Sequence, residues 1–392
     1  MAGWTESFGA GKGDVWILGL DEDGNIKWQK TYGGKWNDWA KAVAVAPNGD
    51  IIVAGYTGSF GAGDWDVWVL RLDENGNIVW QKTYGGGSNY DEANAIALTD
   101  NGDIIVTGET WSFGIGEIDV WVLRLDENGN VKWQKTYGGS DQDWANSVAI
   151  APNGDVIVAG VTNSFGTNGD MWVLRLDENG NVKWQKTYGG SNGDKANAVA
   201  IADNGDILVA GEWGSGCDFL VLRLDENGNV KWQKLYGKDS DCDEAHAVVI
   251  APNGDIIVAG TTEKPGTILT ILHDAWILRL PPDGNLPGCD FCKDTNAQVS
   301  EPYPVVENSN TEIYVTSAKI EDSTAYPPHS WYPHVETQYG PSTLSISSQP
   351  SGVGVYINGT YKGRTPLTLT LSPGTYRVEL FKGGVIGITQ PP

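Results

Sequence analysis

Apolar and polar residues follow each other in short runs along this chain, and one run of twenty residues is repeated through its first three quarters. The stretch from Asp66 to Gly85 is a clear copy of that run. Other copies begin at Asp14, Asp119, Asp170, Asp218 and Asp274. The leading aspartates are 48 to 56 residues apart, and a fixed period of this length predicts an array of like structural units.

The unit from Ala40 to Gly85 contains four short runs rich in Val, Ile, Trp or Tyr, each bounded by turn residues, which predicts β-strands. The four runs are Ala42 to Ala46, Ile51 to Gly55, Val67 to Leu72 and Ile78 to Tyr84. Two connections, Pro47 to Asp50 and Asp73 to Gly76, are tight turns that contain glycine, and the other two are long. Four antiparallel strands with alternating short and long connections form one blade of a β-propeller.

The sequence therefore predicts an all-β protein with a six-bladed propeller, or seven blades if an upstream portion was lost. The first blade lacks its inner strand, and the sixth loses the pattern after Leu280. A ring must close, because open sheet edges promote aggregation. We expect Leu286 to Cys292 to supply the outer strand of the sixth blade, and Glu312 to Lys319 to supply the inner strand of the first.

The repeated unit also carries a family resemblance. From Val69 to Gln81 it resembles the blade repeats of quinoprotein-like propellers, in which a turn with Gly precedes a Trp of the outer strand. The whole unit is similar to tandem propeller repeats of archaeal and bacterial surface proteins. The resemblance covers residues 1 to about 290 and implies a propeller domain, which we place at residues 1–292. It implies no particular activity, because propellers host many.

Beyond the repeats, residues 293–340 are rich in Pro, Ser and Asn and predict an extended linker, part of which closes the propeller. Residues 341–392 have new strand signals and resemble a PEGA domain. The matching motifs are Pro350 to Val353, Val355 to Gly359, Gly363 to Pro366 and Pro373 to Val378. The resemblance implies a small β-sandwich-like domain that rides on surface or envelope proteins and binds or packs rather than catalyses.

The amino-acid composition limits the classes of partner that the protein is expected to bind. Acidic residues outnumber basic ones 50 to 26, for a net charge of −24, so a nucleic acid would be repelled. The charge serves solubility in one interpretation and cation binding in another. No apolar run is long enough for a membrane helix, and Met1 to Phe8 does not resemble a signal peptide. We expect an extracellular or cell-surface protein whose signal peptide was removed or lies upstream.

Aspartates recur at two fixed places in the repeat, and both places fall beside the long connections. One group opens the third strand of each blade: Asp14, Asp66, Asp119, Asp170, Asp218 and Asp274. The other group precedes the first strand: Asp38, Asp91, Asp143, Asp194 and Asp243. These carboxylates either bind a cation or a basic ligand, or accept backbone N–H bonds and hold their own loops. Recurrence in nearly every blade favours the structural role.

Aromatic residues in the long connections differ from blade to blade, and this variation distinguishes them from the repeated frame. They are Trp36, Trp39, Trp65, Tyr90, Trp111, Trp144 and Trp213. Aromatic rings beside Asp and Asn are typical of sugar-binding surfaces. The alternative is that they pack over neighbouring loops.

The four cysteines form two local pairs, Cys217 with Cys242 and Cys289 with Cys292. We predict two disulfides and an extracytoplasmic location, since disulfides persist in oxidising compartments. The second pair also fits half a zinc site or a redox pair, but no second Cys-x-x-Cys completes a zinc site. The sequence thus predicts no metal site and no cofactor, although the Asp-Glu-Asn-Gly turns faintly resemble calcium loops.

Evidence for catalysis is thin. His246 beside Asp243 is the one candidate acid–base pair, and no nucleophile or phosphate-loop motif is present. We expect a protein that is not an enzyme and that binds a glycan, another surface protein or copies of itself through the long-loop side of the propeller. The alternative function is a polysaccharide hydrolase or lyase that uses carboxylates on that side.

Overall fold

The computed structural model describes most of the repeats and the strands that follow them. The described residues are 1–87, 89–166, 168–214, 218–237, 242–264, 272–286, 292–294, 298–300, 305–308, 312–315, 319–322, 334–337, 342–346, 354–357, 360–364, 367–371 and 374–381. The chain divides into two compact units, residues 1–324 and residues 325–392.

Six β-sheets in the first unit correspond to the six repeats. Blade one contains β1 (Ala2–Thr5), β2 (Asp14–Leu20) and β3 (Ile26–Gly33). Blade two contains β4 (Asp38–Val45), β5 (Ile51–Thr57), β6 (Asp66–Leu72) and β7 (Ile78–Gly85). Blade three contains β8 (Asp91–Leu98), β9 (Ile104–Thr110), β10 (Asp119–Leu125) and β11 (Val131–Gly138).

The later blades repeat this order, except that three strands of the sixth lie among the described residues. Blade four contains β12 (Asp143–Ile150), β13 (Val156–Thr162), β14 (Asp170–Leu176) and β15 (Val182–Gly189). Blade five contains β16 (Lys195–Ile201), β17 (Ile207–Trp213), β18 (Asp218–Leu224) and β19 (Val230–Tyr236). Blade six contains β20 (Asp243–Ile250), β21 (Ile256–Lys264) and β22 (Leu272–Leu280).

Consecutive strands of a blade pair antiparallel, so the short and long connections leave a blade at opposite ends. We call the end with the hairpin turns the short-turn face and the other end the long-loop face. In the turn after β6, Asp73 accepts hydrogen bonds from the backbone amides of Asn75 (2.9 Å) and Asn77 (2.8 Å). Gly76 takes a φ of +73°, which a side chain would disfavour. The repeated Asp-x-Asn-Gly-Asn sequence is thus explained by the hairpin it forms.

The cores lie between blades rather than within them. Five apolar clusters each join two consecutive blades. In one of them, Val67 and Val69 of blade two pack with Trp121 and Leu123 of blade three. Because a central blade is covered on both sides, its strands need apolar residues at successive positions, which explains the near-continuous apolar runs. Across the described residues, none of the clusters joins blade six to blade one.

Each seam between blades is also bonded at the short-turn face. The Tyr84 hydroxyl of blade two donates to the Gly129 carbonyl in the second hairpin turn of blade three (2.7 Å), and Trp80 Nε1 donates to Glu127 O in the same turn (3.0 Å). Equivalent tyrosines bridge all five seams; their hydroxyls are those of Tyr32, Tyr84, Tyr137, Tyr188 and Tyr236. The second hairpin turn of one blade therefore accepts hydrogen bonds from side chains of the preceding blade.

Five short strands after the repeats add a fifth layer to the propeller. They are β23 (Cys292–Asp294), β24 (Gln298–Ser300), β25 (Val305–Asn308), β26 (Glu312–Val315) and β27 (Lys319–Asp322). In this order they pair with the outer strands of blades five, four, three, two and one. We call these five strands the belt, because the chain returns along the rim and covers one outer edge after another.

The belt corrects three expectations. Residues 293–340 are not wholly an extended linker, since four of the belt strands lie within them. Glu312–Val315 pairs with the outer strand β7 of blade two, and does not supply the inner strand of blade one. Cys292 begins a strand on β19 of blade five rather than ending the outer strand of blade six, and residues 287–291 of that predicted strand lie outside the described residues.

The second unit is a small β domain. It contains β28 (His334–Thr337), β29 (Ser342–Ile346), β30 (Gly354–Ile357), β31 (Thr360–Arg364), β32 (Leu367–Leu371) and β33 (Gly374–Phe381). One sheet has the order β28-β33-β30-β31 and a second sheet pairs β29 with β32. Two small sheets agree with the predicted sandwich-like domain. Its first strand, β28, lies upstream of the predicted boundary at residue 341.

Candidate functional site

The aspartates of the long-loop face bind the loops around them. Asp38 accepts hydrogen bonds from the Gly34 amide (2.8 Å) and the Ser59 hydroxyl (2.8 Å), and also from the Thr57 hydroxyl. In blade three, Asp91 accepts equivalent bonds from the Gly86 amide (3.0 Å) and Ser112. These bonds give a residue-level account of the structural role favoured for the recurring carboxylates.

The two groups of aspartates meet in pairs across each seam. Asp66 at the start of β6 and Asp91 at the start of β8 both flank Gly85, where a Cβ atom would overlap the Asp66 carboxylate. Burial, together with the charge of Asp91, raises the pKa of Asp66 to about 6. Burial likewise raises the pKa of Asp38 and Asp194. The long-loop face thus contains a layer of buried carboxylates, and burial raises the pKa of several of them.

A continuous row of aromatic rings lies above this layer. Six rings follow one another across blades one to three, and we call them the aromatic row: Trp4, Trp39, Tyr56, Trp65, Tyr90 and Trp111. Successive ring centroids are 4.4, 5.7, 4.9, 5.2 and 5.7 Å apart; the first three contacts are stacked and the last two are edge-on. Four of the seven aromatic candidates are therefore brought together with two rings that sequence reasoning missed.

Backbone bonds hold the exposed end of the row in place. The Trp111 amide donates to Tyr90 O (3.0 Å), and the Asp91 amide donates to Trp65 O (2.8 Å). Trp4, Tyr90 and Trp111 are 41%, 39% and 45% exposed, whereas Tyr56 is buried. The row is consequently a rigid ridge whose outer rings reach solvent.

The remaining aromatic candidates lie outside the row. Trp36 is exposed, with the ammonium groups of Lys12 and Lys35 at 5.0 and 4.8 Å from its ring. Trp213 packs against the apolar cluster between blades four and five, and Trp144 is half-buried in β12. The repeated Phe residues of the loops pack on buried tryptophans, as Phe60 does on Trp68 at 5.4 Å.

Beside the row lie two carboxylates and a lysine that sequence reasoning also missed. Glu92 on β8 and Glu109 on β9 are directly opposite each other in the strand register. Burial, with the charge of Glu92, raises the pKa of Glu109 to about 7. The Lys41 ammonium lies 5.7 Å from the Trp39 ring and 5.5 Å from the Tyr56 ring. Carboxylates and an ammonium beside aromatic faces can bond hydroxyl groups of a ligand.

This arrangement is specific to one side of the propeller. At the equivalent position of blade five, Glu212 faces Lys195 and forms an ion pair of 3.2 Å. The signal that could have located Glu92 and Glu109 is glutamate at both facing positions. The same two places hold Trp39 and Tyr56 in blade two and Trp144 and Val161 in blade four. In a repeat protein, residues that differ between equivalent positions of the blades are candidates for a binding site. In this protein such residues lie together in blades one to three.

Other candidates have simpler surroundings. Within the described ranges, His246 Nε2 lies 3.1 Å from the Thr261 hydroxyl and 3.6 Å from Glu244, so the structure offers these partners for the predicted acid–base histidine. Cys217 and Cys289 lie outside the described residues, so both pairings stay predictions. In the part of the chain that the structure describes, no cluster of three or more His, Cys, Asp or Glu could hold a metal.

Comparisons with known proteins bear on both units. Residues 341–385 match the PEGA domain family, and residues 46–78 match DUF5122, a β-propeller domain of unknown function. Regulatory protein FlaEY of Caulobacter vibrioides is 30% identical over 110 residues, covering 24% of this chain. The chain spans only 12% of that relative's length.

Similar solved structures are remote. A putative gluconolactonase is 14% identical, with a TM-score of 0.38 over 68% of this chain and 81% of its own. A β-1,3-galactosidase is 10% identical, with a TM-score of 0.37 over 69% of this chain and 96% of its own. Likenesses this weak carry no functional argument.

The matches and the blades together define the class of protein: a tandem-repeat β-propeller followed by a PEGA-like domain. A propeller joined to a PEGA domain suggests a surface or extracellular protein. Among the described residues, no helix is long and apolar enough to cross a membrane.

Proposed function

We propose that the protein is a non-enzymatic, extracytoplasmic surface protein that binds a glycan along the aromatic row. The observation that carries the proposal is the row itself, because its six rings are in contact one after another and its outer rings reach solvent. Aromatic faces stack on the apolar edges of sugars, and a rigid ring loses little conformational entropy on binding. The exposed rings of Trp4, Tyr90 and Trp111 lie at the two ends of the row, and this spread suits a chain of several sugars.

Polar groups beside the row supply the specificity. Lys41, Glu92 and Glu109 can donate to and accept from sugar hydroxyls at the middle of the row. The predicted pairing of Cys217 with Cys242 is in keeping with an oxidising location, since disulfides persist outside the cytoplasm. The partner is then a cell-surface or extracellular polysaccharide.

Glycan-array screening followed by titration calorimetry on the full chain tests this function. We expect Tyr90→Ala and Trp111→Ala each to weaken binding about tenfold, equivalent to about 1.4 kcal/mol. The control is Ile115→Ala, because Ile115 is an apolar residue of the same loop with 50% exposure, and it should bind as the wild type does. Absence of glycan binding by the wild type, or equal affinity in all variants, would contradict the proposal.

A second function, polysaccharide cleavage, is favoured by one observation. Glu109 has a pKa of about 7 and stands opposite Glu92, and a carboxyl group protonated near neutral pH can act as a general acid beside a second carboxylate. Release of reducing ends from a bound polysaccharide, abolished by Glu109→Gln, would establish it. Polysaccharide binding without release of reducing ends would mean that the aromatic row binds the polysaccharide but does not cleave it.

A further inference from the structure

Each blade has two sides, and the five internal seams define what they contact. We call the side that meets the following blade its front side and the opposite side its back side. In the seam between blades five and six, Phe219 and Val221 on the front side pack against Val258 and Leu278 on the back side. At the edge of this seam, Arg223 Nη1 donates to the Pro282 carbonyl in the turn of blade six (2.7 Å).

The front side of blade six has the same kind of residues but is exposed. Ile257, Ala275 and Ile277 occupy the positions that Leu208, Phe219 and Val221 occupy in blade five. The blade-five residues are fully buried, whereas Ile277 is 67% exposed. Arg279, at the position of Arg223, keeps its ion pair with Asp255 and has a side chain that is 65% exposed.

The back side of blade one is open in the corresponding way. Trp16, Leu18 and Leu20 are half-buried, while their equivalents in blades two to five are buried. Its hairpin turn is open as well. Gly24 is exposed, but the equivalent glycine of every other blade is buried beneath a Trp ring and a Tyr hydroxyl: Gly76, Gly129, Gly180, Gly228 and Gly284.

We propose that these two surfaces bind each other between copies of the chain, so that blade six of one molecule packs on blade one of a second. The occupant follows from continuity with an interface the molecule already forms five times. Front sides bind back sides at all five seams, and at four of them an arginine of the front side donates to a turn carbonyl on the back side. Here Arg279 of one copy donates to the turn at Glu22 to Gly24 of the other.

The contact is head-to-tail, because the two surfaces differ and lie on opposite terminal blades. A head-to-tail contact that does not close generates a growing series of species rather than a fixed dimer. The surfaces are the sides of blades and not the long-loop face, so this interaction is independent of glycan binding. It also covers apolar sheet faces that would otherwise remain in water.

Light scattering after size-exclusion chromatography of the full chain tests the contact. We expect the wild-type mass to rise above the monomer with concentration, and Ile277→Lys or Leu18→Lys to hold the protein at the monomer mass. The matched control is Val79→Lys. Val79 is 55% exposed, and lysine stands at its position in every other four-stranded blade, so this variant should associate as the wild type does.

A mixture of the two interface variants is the sharper test. Ile277→Lys retains an intact blade-one surface and Leu18→Lys retains an intact blade-six surface, so the mixture should form a dimer and stop there. Circular dichroism first establishes that each variant is folded. A wild type that stays monomeric at every concentration, or a mixture of folded variants that stays monomeric, would overturn the proposal.

Discussion

Aspartate recurs on both faces of the propeller, but its electrostatic surroundings are opposite on the two faces. On the short-turn face, Asp103 is bonded by Arg124 Nε (2.8 Å) and Lys132 Nζ (2.7 Å). Burial alone would raise its pKa, but these cations outweigh burial and hold the pKa of Asp103 below its ordinary value. On the long-loop face, Asp66 has another carboxylate as its neighbour and its pKa is raised.

The two faces of the propeller are held together by different kinds of hydrogen bond. The short-turn face joins blades through charge, since Arg124 also donates to the Glu178 carbonyl of the next blade (2.6 Å). The long-loop face uses neutral donors instead: the Gly34 amide, just after blade one, donates to Asp38 of blade two, which also accepts from the Thr57 and Ser59 hydroxyls of its own blade. Because these hydrogen bonds hold the base of each long loop, the remaining loop residues can vary between blades. The aromatic row lies among these variable residues.

The largest effect should come from crowding the carboxylate layer. In Gly85→Ala the added methyl group would overlap the Asp66 carboxylate, so we expect a loss of about 4 kcal/mol in the free energy of unfolding, measured by urea denaturation. Gly3→Ala is the control, because a Cβ atom there meets nothing within 4 Å. Similar losses in both variants would mean that the layer is not tightly packed.

A smaller loss should follow removal of one cation from the short-turn face. Arg124→Ala deletes a buried partner of Asp103 and one inter-blade bond, while Lys132 still pairs with Asp103. We expect a loss of about 2–3 kcal/mol by the same method. Arg279→Ala removes the equivalent but exposed arginine and should cost less than about 1 kcal/mol at monomeric concentrations. Equal costs would show that burial of this pair adds nothing.

The pH dependence of the free energy of unfolding should differ between Glu109 and its equivalent in blade five. The raised pKa of Glu109 contributes stability that is fully present below its ordinary value of 4.5 and is lost as the pH rises through about 7. Glu109→Gln should therefore be more stable than the wild type by about 1–2 kcal/mol at pH 8 and equal to it at pH 4. Glu212→Gln, which loses the ion pair with Lys195, should gain nothing at either pH.

The smallest effect should come from the exposed end of the aromatic row. Trp111 is 45% exposed, and its backbone bond to Tyr90 survives truncation, so Trp111→Ala should change the free energy of unfolding by no more than about 0.5 kcal/mol. A thermal-unfolding scan provides the measurement. A loss near that of Arg124→Ala would assign the row to the structural frame instead of the binding surface.

Most of the blade architecture could be predicted because it is local and repeated. The run Val67 to Leu72 predicted the strand that the structure places at Asp66–Leu72, and the Asn-Gly turns predicted its hairpins. The candidate site was predicted only in part. Trp65 stands out in a loop and Trp39 at the start of β4, but Tyr56 was missed because it lies within a repeated strand, where an aromatic residue is expected in the core.

What the sequence by itself determined is the repeat: its period, its four-strand blades and the turns between them, all of which depend on residues close together in the chain. Only the tertiary structure decided which residues meet across seams, such as Asp66 with Asp91, and where the belt lies. The belt strands have three or four residues each and no apolar periodicity of their own. They are strands because an outer edge of a blade offers unpaired backbone groups to them.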